Sequence, residues 1–598
     1  MCGIFGYIGK KNDAAKIVFS GLKTLEYRGY DSWGIAILSS KLKNNKIIIM
    51  KKAGKIGEAT VADLPNSNFA LGHTRWATHG GVTDINAHPH LDCTGQFAII
   101  HNGIIENYDE IKKELVKKGH KFISETDTEV AVHLIEENYQ NNLKPQEKIF
   151  LEAVRVSFNK FEGLNAIIVM DAHTQTFAAA KNGSPLVIGK GEGENFLASD
   201  AHALLPYTKN MYFMEDNEII LISQNEITVY DVKNNKKKIP KFTHLSWSHT
   251  ITTKGDFPHY MLKEIFDQPK VIENIISDPD RQIDKFSRLI KQSYGTYLVG
   301  CGTAAYACLA GTYIFSKVAK RHINFAVGSE FGYLADFLTS KSLVLALSQS
   351  GETIDVVEAV KKAKERHAQI GTLVNVLGST LYRISDYKLL LNAGVEKAVV
   401  STKAFTAKLA YLILLAYSLI HKKENGMKML KLCVKELYTI LQPARLLMIK
   451  KLASQLARKN HIYIIGRGLS YPIALETALK IKEASYIHAE GFAAGELKHG
   501  VIALIEKGAP CIAFLPNDET YGANLAGAME MKARGGYIIG ISFKPHEIFD
   551  YYLPVSDCGI ASIIPSIAIG QLLGYYLAIH QGYDPDKPRN LAKSVTVK

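Results

Sequence analysis

Tyr297-Leu298-Val299-Gly300-Cys301-Gly302 is an apolar run that breaks into a glycine turn. Ile462-Tyr463-Ile464-Ile465-Gly466-Arg467-Gly468 repeats the pattern in the last third of the chain. A helical stretch follows each run, then a second apolar strand, Leu343–Leu347 in the first copy and Cys511–Leu515 in the second. Strand, glycine turn and helix in alternation predict parallel, doubly wound sheets. The recurrence predicts two such α/β domains, over about 280–425 and 450–588.

The first part of the chain has another texture. Short β-rich runs such as Ile47–Met50, Phe97–Ile100, Ala166–Met170 and Ile219–Ile222 are bounded by Gly, Asn and Asp. Helices are expected from Asn12-Asp13 to Leu25 and from Thr128 to Tyr139, with Asp127-Thr128 capping the second. An α+β domain with layered sheets is expected over 2–230. The polar, lysine-rich stretch Val232–Gly255, with Pro240, reads as the body of a linker over 231–258. Residues 589–598 read as an ordered C-terminal tail.

Composition removes several function classes. Of 598 residues 47% are apolar and 22% charged, so the chain can build several cores and is not disordered. The net charge of +13 is spread along the sequence, and its one dense run, Lys236-Lys237-Lys238, lies in a polar stretch. No basic patch with interleaved aromatics occurs, so no nucleic-acid partner is expected. The seven cysteines (Cys2, Cys93, Cys301, Cys308, Cys433, Cys511 and Cys558) are scattered and form no CxxC pair. Neither a disulfide framework nor a metal site is expected, and a reducing, cytoplasmic setting is. The N-terminus lacks a signal-peptide pattern. Leu409–Ile420 is short for a membrane span, and Ala561–Ile579 is interrupted by Pro565, Gln571 and Gly574. Both read as core helices, with no membrane partner.

The chain opens Met1-Cys2-Gly3-Ile4-Phe5-Gly6. Trimming of Met1 would leave a thiol and a free α-amine on one residue. An amine of pKa about 7.7–8.0 can take the thiol proton. Cys2 alone could as well be a small buried cysteine. Four motifs weigh for chemistry: Leu25–Ser32 (LEYRGYDS), Gly72–Gly80 (GHTRWATHG), His101–Asn107 (HNGIIEN) and Ser124–Glu129 (SETDTE). Singly, Asn102-Gly103 also suits a hairpin turn and Arg75 with Asp127 an ordinary surface ion pair. In this order with Cys2, the motifs resemble the glutaminase domain of the type II, N-terminal-nucleophile amidotransferases. The resemblance implies that Cys2 attacks the glutamine amide. It implies an oxyanion hole from Asn102 and the Gly103 N–H. It further implies a glutamine site of Arg75 on the α-carboxylate, Asp127 on the α-amine, Trp76 as a gate, and Thr78 and His79. Trp33 and Gly163-Leu164-Asn165 depart from the family's usual residues.

In the second half, Ser348-Gln349-Ser350-Gly351-Glu352-Thr353 lies between the strand Leu343–Leu347 and a helical stretch from Ile354. Hydroxyls at the opening of a helix suit a phosphate, and a lone one is more often a plain cap. With Cys301-Gly302-Thr303 and Val399–Thr406 (VVSTKAFT), this loop resembles the sugar-isomerase (SIS) domain. The resemblance implies a sugar-phosphate site of Thr303, Ser348, Gln349, Ser350, Thr353, Val399, Ser401 and Lys480, with Ala304 where a serine is frequent. Glu476, Lys480 and Glu483 recur at helical spacing and share one face.

The expected fold is thus an α+β N-terminal-nucleophile layered domain followed by two α/β doubly wound SIS-type domains. Taken whole, the chain resembles the amidotransferases that use glutamine and fructose-6-phosphate to make glucosamine-6-phosphate. That resemblance implies ring opening by His499 across a homodimer interface, a Schiff base on Lys593, and proton transfer by Glu483. It implies no cofactor, and a tail, 589–598, that closes over the sugar. Val501 stands where proline is usual. A different sugar-phosphate acceptor and a non-catalytic phosphosugar sensor are the alternatives. An ATP loop of the asparagine synthetase kind is absent.

Overall fold

A computed structural model describes residues 2–39, 46–57, 59–139, 146–245, 254–277 and 282–596. The chain divides into two compact units. One is Met1–Ile251 with Ser594–Lys598, the other Thr252–Lys593.

The first unit is built on two antiparallel sheets, of eight and seven strands. Strand alternation makes the layers. In Phe97–Gly103, Ala98 and Ile100 face a core shared with Phe177 of their own sheet and with Ile4 and Leu71 of the facing one. Phe97 and Ile99 face helices instead, packing with Ile111, Val130, Ile135, Phe150 and Val154. These come from the helices Tyr108–Lys117, Asp127–Asn138 and Gln146–Phe158. On the eight-stranded sheet lies the helix Ala14–Leu25, which buries Ala14, Ile17, Val18, Gly21, Leu22 and Leu25. The cap of the helix Asp127–Asn138 is Thr126, one residue before the expected pair: its side chain accepts the Glu129 N–H.

The first part of the stretch 231–258, read as a linker, continues the sheets. Ile227–Asp231 and Lys237–Lys238 extend the seven-stranded sheet, and Thr243–His244 edges the other. Two-residue edge strands carry charge and no apolar alternation, so the pattern that betrays a buried strand is missing. The lysine run lies on such an edge, where Lys238 pairs with Glu218 at 3.3 Å. Residues 246–253 lie outside the described residues.

The second unit holds two five-stranded parallel sheets of the same strand order, 2-1-3-4-5. In the first, Gly295–Gly300 sits between Asn324–Val327 and Ser342–Ser348, followed by Gln369–Val374 and Tyr387–Leu390. In the second, His461–Gly466 sits between His488–Ala493 and Pro510–Leu515, followed by Tyr537–Ser542 and Tyr551–Pro554. The chain reverses direction of growth between the first and third strands of each. Loops at that switch point form a natural ligand crevice. The loops Cys301–Thr303 and Ser348–Thr353 both leave strands flanking it. Between the sheets run apolar helices, among them Lys403–Leu419 and Ile563–His580. The second is long and apolar enough to cross a membrane, but 83% of its window is buried in this unit.

Close helix–sheet packing requires glycine at Gly21. A Cβ there would lie 2.3–2.5 Å from the Phe5 ring. Gly→Ala inside a helix ordinarily stabilises by about 1 kcal/mol. Gly21→Ala should instead destabilise the first unit by roughly 1–3 kcal/mol through overpacking, read by urea unfolding. An unchanged or raised midpoint would disprove the close approach.

Candidate active site

Cys2 enters the central strand Gly3–Gly9 of the eight-stranded sheet. The Trp76 N–H donates to its sulfur at 3.3 Å. Its carbonyl accepts from Arg28 Nε at 3.3 Å and Asn102 Nδ2 at 3.0 Å. Only glycine suits the next position, since a Cβ on Gly3 would meet Thr74 Oγ1 at 2.5 Å. Burial pushes the Cys2 thiol above its ordinary pKa, opposed by the Trp76 N–H, Arg75 and Arg28. The thiol therefore needs a local base to react.

Asn102 reaches Cys2 from the other sheet, and His73 sets its orientation. His73 is fully buried, and burial lowers its pKa to about 3, so the ring is neutral. Its Nε2 lies 3.0 Å from the His101 carbonyl and 3.1 Å from Asn102 Oδ1. Both are acceptors, so Nε2 carries the proton. The Asn102 oxygen is thereby committed to His73 and its NH2 is turned towards Cys2. Gly103 has φ +140, and a Cβ there would lie 2.2 Å from the Leu164 carbonyl. Asn102-Gly103 thus ends a strand paired with Asn165–Asp171 and is no hairpin turn.

Arg75 and Asp127 are buried and form no surface ion pair. The Arg75 guanidinium donates to the carbonyls of His79, Gly80 and Gly81. No carboxylate among the described residues pairs with it, so its charge remains available to an anion. Asp127 Oδ2 accepts the Ile105 N–H at 2.8 Å. The His79 ring stands edge-on to Tyr108 at 4.3 Å, and Thr78 is exposed beside it. Trp33 packs on Phe19 at 5.7 Å, away from these groups. Asn165, the other departure, places Oδ1 2.9 Å from His101 Nε2.

In the second unit a buried polar chain joins the two sheets' helices. Glu476, Lys480 and Glu483 lie on the helix Ser470–Ser485. Lys480 Nζ is 2.6 Å from Glu483, 3.4 Å from Glu476 and 2.9 Å from Thr303 Oγ1. Thr303 opens the helix Thr303–Ala319 of the first sheet and also donates to Glu476 at 3.1 Å. Lys480 further reaches the Ser401 carbonyl at 3.4 Å. The Ser401 hydroxyl donates to Glu396 at 3.0 Å, and Glu396 pairs with Lys593 at 2.6 Å. Burial pushes Glu396 up, but Lys593 and the N–H groups of Thr402 and Ala404 hold it well below the usual carboxylate range. Glu264, buried beside Glu396, goes the other way.

The hydroxyl loop is pre-shaped. Ser348 Oγ accepts the Gly351 N–H at 3.0 Å and lies 3.3 Å from Thr353 Oγ1. Thr353 stands at the N-cap of Ile354–Glu365 without capping it by its side chain, which leaves the plain-cap reading unsupported. Ser350 Oγ accepts the Glu352 N–H at 3.1 Å, and the Gln349 carbonyl accepts from Asn375. Val399 is held through its N–H by the Asp586 carbonyl at 3.0 Å. Ala304 is buried at the start of its helix. His499 stands apart: it is exposed at the end of the turn Ala494–His499, as is the neighbouring Lys498. Val501 follows in its own short turn. The tail divides, Lys593 lying in the second unit while Ser594–Lys598 group with the first.

Sequence reasoning missed Glu396, Glu264, Lys408 and His73. Glu396 had one signal, a lone acid three residues before Val399–Thr406. Lys408 lies buried on the helix Lys403–Leu419, where burial lowers its pKa to about 8.

Residues 289–418 and 455–560 match the SIS domain family, and 73–206 the glutamine amidotransferase domain family. Fold, thiol site and paired sheets together define a glutamine amidotransferase with sugar-isomerase domains. The chain is 41% identical to glutamine–fructose-6-phosphate aminotransferase (isomerizing) of Pyrococcus horikoshii and 41% to that of Aquifex aeolicus, covering 100% of both chains each time. It therefore belongs to the glutamine–fructose-6-phosphate aminotransferase (isomerizing) family. Its second half resembles the C-terminal domain of glucosamine-fructose-6-phosphate aminotransferase from Francisella tularensis, at 33% identity and TM-score 0.53, covering 56% of this chain and 100% of that one.

Burial raises Glu476 to about 7 from an ordinary 4.5, with Lys480 opposing and Glu483 adding to the rise. The folded state therefore keeps a proton that the unfolded chain releases at 4.5. Stability from this group is complete below pH 4.5 and declines as pH climbs through about 7. Glu476→Gln, which can keep the Thr303 contact, should flatten that decline in calorimetry of the second unit's transition. An unaltered pH slope would reject the raised carboxyl.

Proposed function

We propose that this protein transfers the amide nitrogen of glutamine to fructose-6-phosphate and isomerises the product, giving glucosamine-6-phosphate and glutamate. The observation that carries this reading is Lys593, buried against Glu396 at 2.6 Å on the same chain of contacts that ends in Glu483.

With Met1 removed, the Cys2 α-amine takes the thiol proton and the thiolate attacks the glutamine amide carbon. Asn102 Nδ2 and the Gly103 N–H receive the developing oxyanion. Arg75 grips the α-carboxylate and Asp127 the α-amine, with Trp76, Thr78 and His79 around the bound side chain. Ammonia leaves as the thioester forms, and water then releases glutamate. Ammonia is mostly ammonium in water near neutral pH, so the nitrogen must reach its acceptor shielded from solvent.

In the second unit Ser348, Gln349, Ser350 and Thr353 bind the phosphate, with Thr303, Val399 and Ser401 on the sugar. Lys593 forms a Schiff base at C2 of the open ketose. An ammonium is no nucleophile, so the amine must first give up its proton, and Glu396 holds Lys593 in place at 2.6 Å. Ammonia displaces Lys593, and Glu483, held by Lys480, moves a proton between C1 and C2. His499 is exposed on its own chain, which supports its acting in a partner copy's site and hence a homodimer. The seven unpaired cysteines support a cytoplasmic setting.

The product assay tests this directly: glutamine plus fructose-6-phosphate, scored for glucosamine-6-phosphate and glutamate. Cys2→Ala should abolish glutamine-dependent synthesis yet spare ketose isomerisation. Asn102→Ala should lower kcat about 10²–10³-fold. Lys593→Ala should stop synthesis while leaving some glutaminase activity. Full synthesis from glutamine by the Cys2 variant would mean another nucleophile, as would a mature protein that keeps Met1.

A further inference from the structure

The first unit carries a second cluster of reactive side chains, separate from Cys2. Cys93 follows the strand His90–Leu91, His120 lies just past the helix Tyr108–Lys117, and His133 and Glu136 share one face of Asp127–Asn138. Their ligand atoms converge, all within 4.8 Å of one another. Cys93 Sγ lies 3.8 Å from His120 Nδ1 and 3.5 Å from His133 Nδ1. Glu136 Oε2 lies 3.2 Å from each of the same two nitrogens.

These four separations, 3.2–3.8 Å, are close to the edges of a zinc tetrahedron. Bonds of about 2.0–2.3 Å from a zinc ion to nitrogen, oxygen and sulfur place neighbouring ligand atoms about 3.3–3.8 Å apart. The surrounding carboxylates complete the pattern. His120 turns its other nitrogen, Nε2, to Glu137 Oε2 at 3.2 Å. His133 turns its Nε2 towards Glu129 Oε1 at 3.8 Å. Glu129 is itself fixed by N–H groups of Ile123 and Ser124 at 2.8 and 2.6 Å. A carboxylate behind each imidazole orients the ring and strengthens it as a ligand.

We propose that Cys93, His120, His133 and Glu136 form a structural zinc site. One sulfur, two imidazoles and one carboxylate are a borderline donor set that suits zinc, and four protein ligands close the coordination sphere. The ion ties the turn after His90–Leu91 to two helices, adding to the Cys93 N–H on Glu136 at 3.1 Å and the Lys118–Glu137 pair at 2.7 Å. One of them, Asp127–Asn138, bears Asp127 in its first turn, so the site fixes the register of that helix. The sequence hides it because the ligands come from three stretches with no short spacing. The expectation of no metal rested on the missing CxxC pair.

The test uses the full chain purified without a polyhistidine tag. Elemental mass spectrometry should find close to one zinc per chain, and competition with a chromophoric chelator should show submicromolar affinity. Cobalt in place of zinc should give tetrahedral ligand-field bands and a thiolate charge-transfer band. Cys93→Ser should lose that charge-transfer band and weaken zinc at least 10-fold. Glu137→Gln, which reaches the site through His120 and otherwise pairs with Lys118 at 2.7 Å, should weaken it roughly 10-fold. Should the Cys93 variant not fold, the cobalt spectrum of the unaltered chain decides. A wild-type chain that binds neither ion below micromolar concentration, or cobalt spectra without a thiolate band, would show only a hydrogen-bonded cluster. Zinc retained in full by Cys93→Ser would equally overturn the assignment.

Discussion

A fully buried ammonium cannot be left without partners, and that constraint organises the second unit. Lys480 has no exposed side-chain surface. Removing one partner of such a group leaves an uncompensated charge and costs about 3–5 kcal/mol. The sequence answers with Glu476 and Glu483, four residues before and three after on the same helix, and with Thr303 from the other sheet. Those contacts lock the helix Thr303–Ala319 against Ser470–Ser485. Glu483 alone in this trio of charges keeps some exposure, 21%, so it is the member that can meet a ligand. Its position is dictated by the lysine behind it.

The first unit holds the Cys2 carbonyl with Arg28, itself paired with buried Asp200 at 3.5 Å. Its central device is a neutral imidazole whose single proton faces two oxygens. That proton fixes which end of Asn102 points at Cys2. Donor dipoles held this way need no reorganisation when negative charge develops. The second unit instead sets titratable side chains against one another, Glu476 and Glu483 around Lys480 and Glu396 on Lys593.

Much of this was legible in the sequence where periodicity or a motif has one physical cause. The runs at Tyr297 and Ile462 are buried on both faces, so they read as parallel strands, and they are. The motifs pointed to Cys2 and Asn102, which the fold brings together, and helical spacing to the shared face of Glu476, Lys480 and Glu483. Glu396 was not legible, because a lone acid has no period. What makes it matter is Lys593, nearly 200 positions away. The strands at Lys237–Lys238 and Thr243–His244 were missed because edge pairing leaves no apolar signature. His73 escaped for a different reason: its role depends on a tautomer, which only its neighbours determine.

The matching strand order of the two sheets has an evolutionary reading. A duplicated fold starts with two equivalent crevices, and only one need go on gripping the ligand. Here the first copy keeps the seryl loop after Ser342–Ser348, while the second offers Pro516-Asn517-Asp518 at the corresponding strand end and contributes the ionisable helix instead. Duplication thus allowed the two crevices to drift apart within one polypeptide. A substitution within Ser348–Thr353 can therefore reshape one crevice while the helix Ser470–Ser485 of the other copy stays as it is.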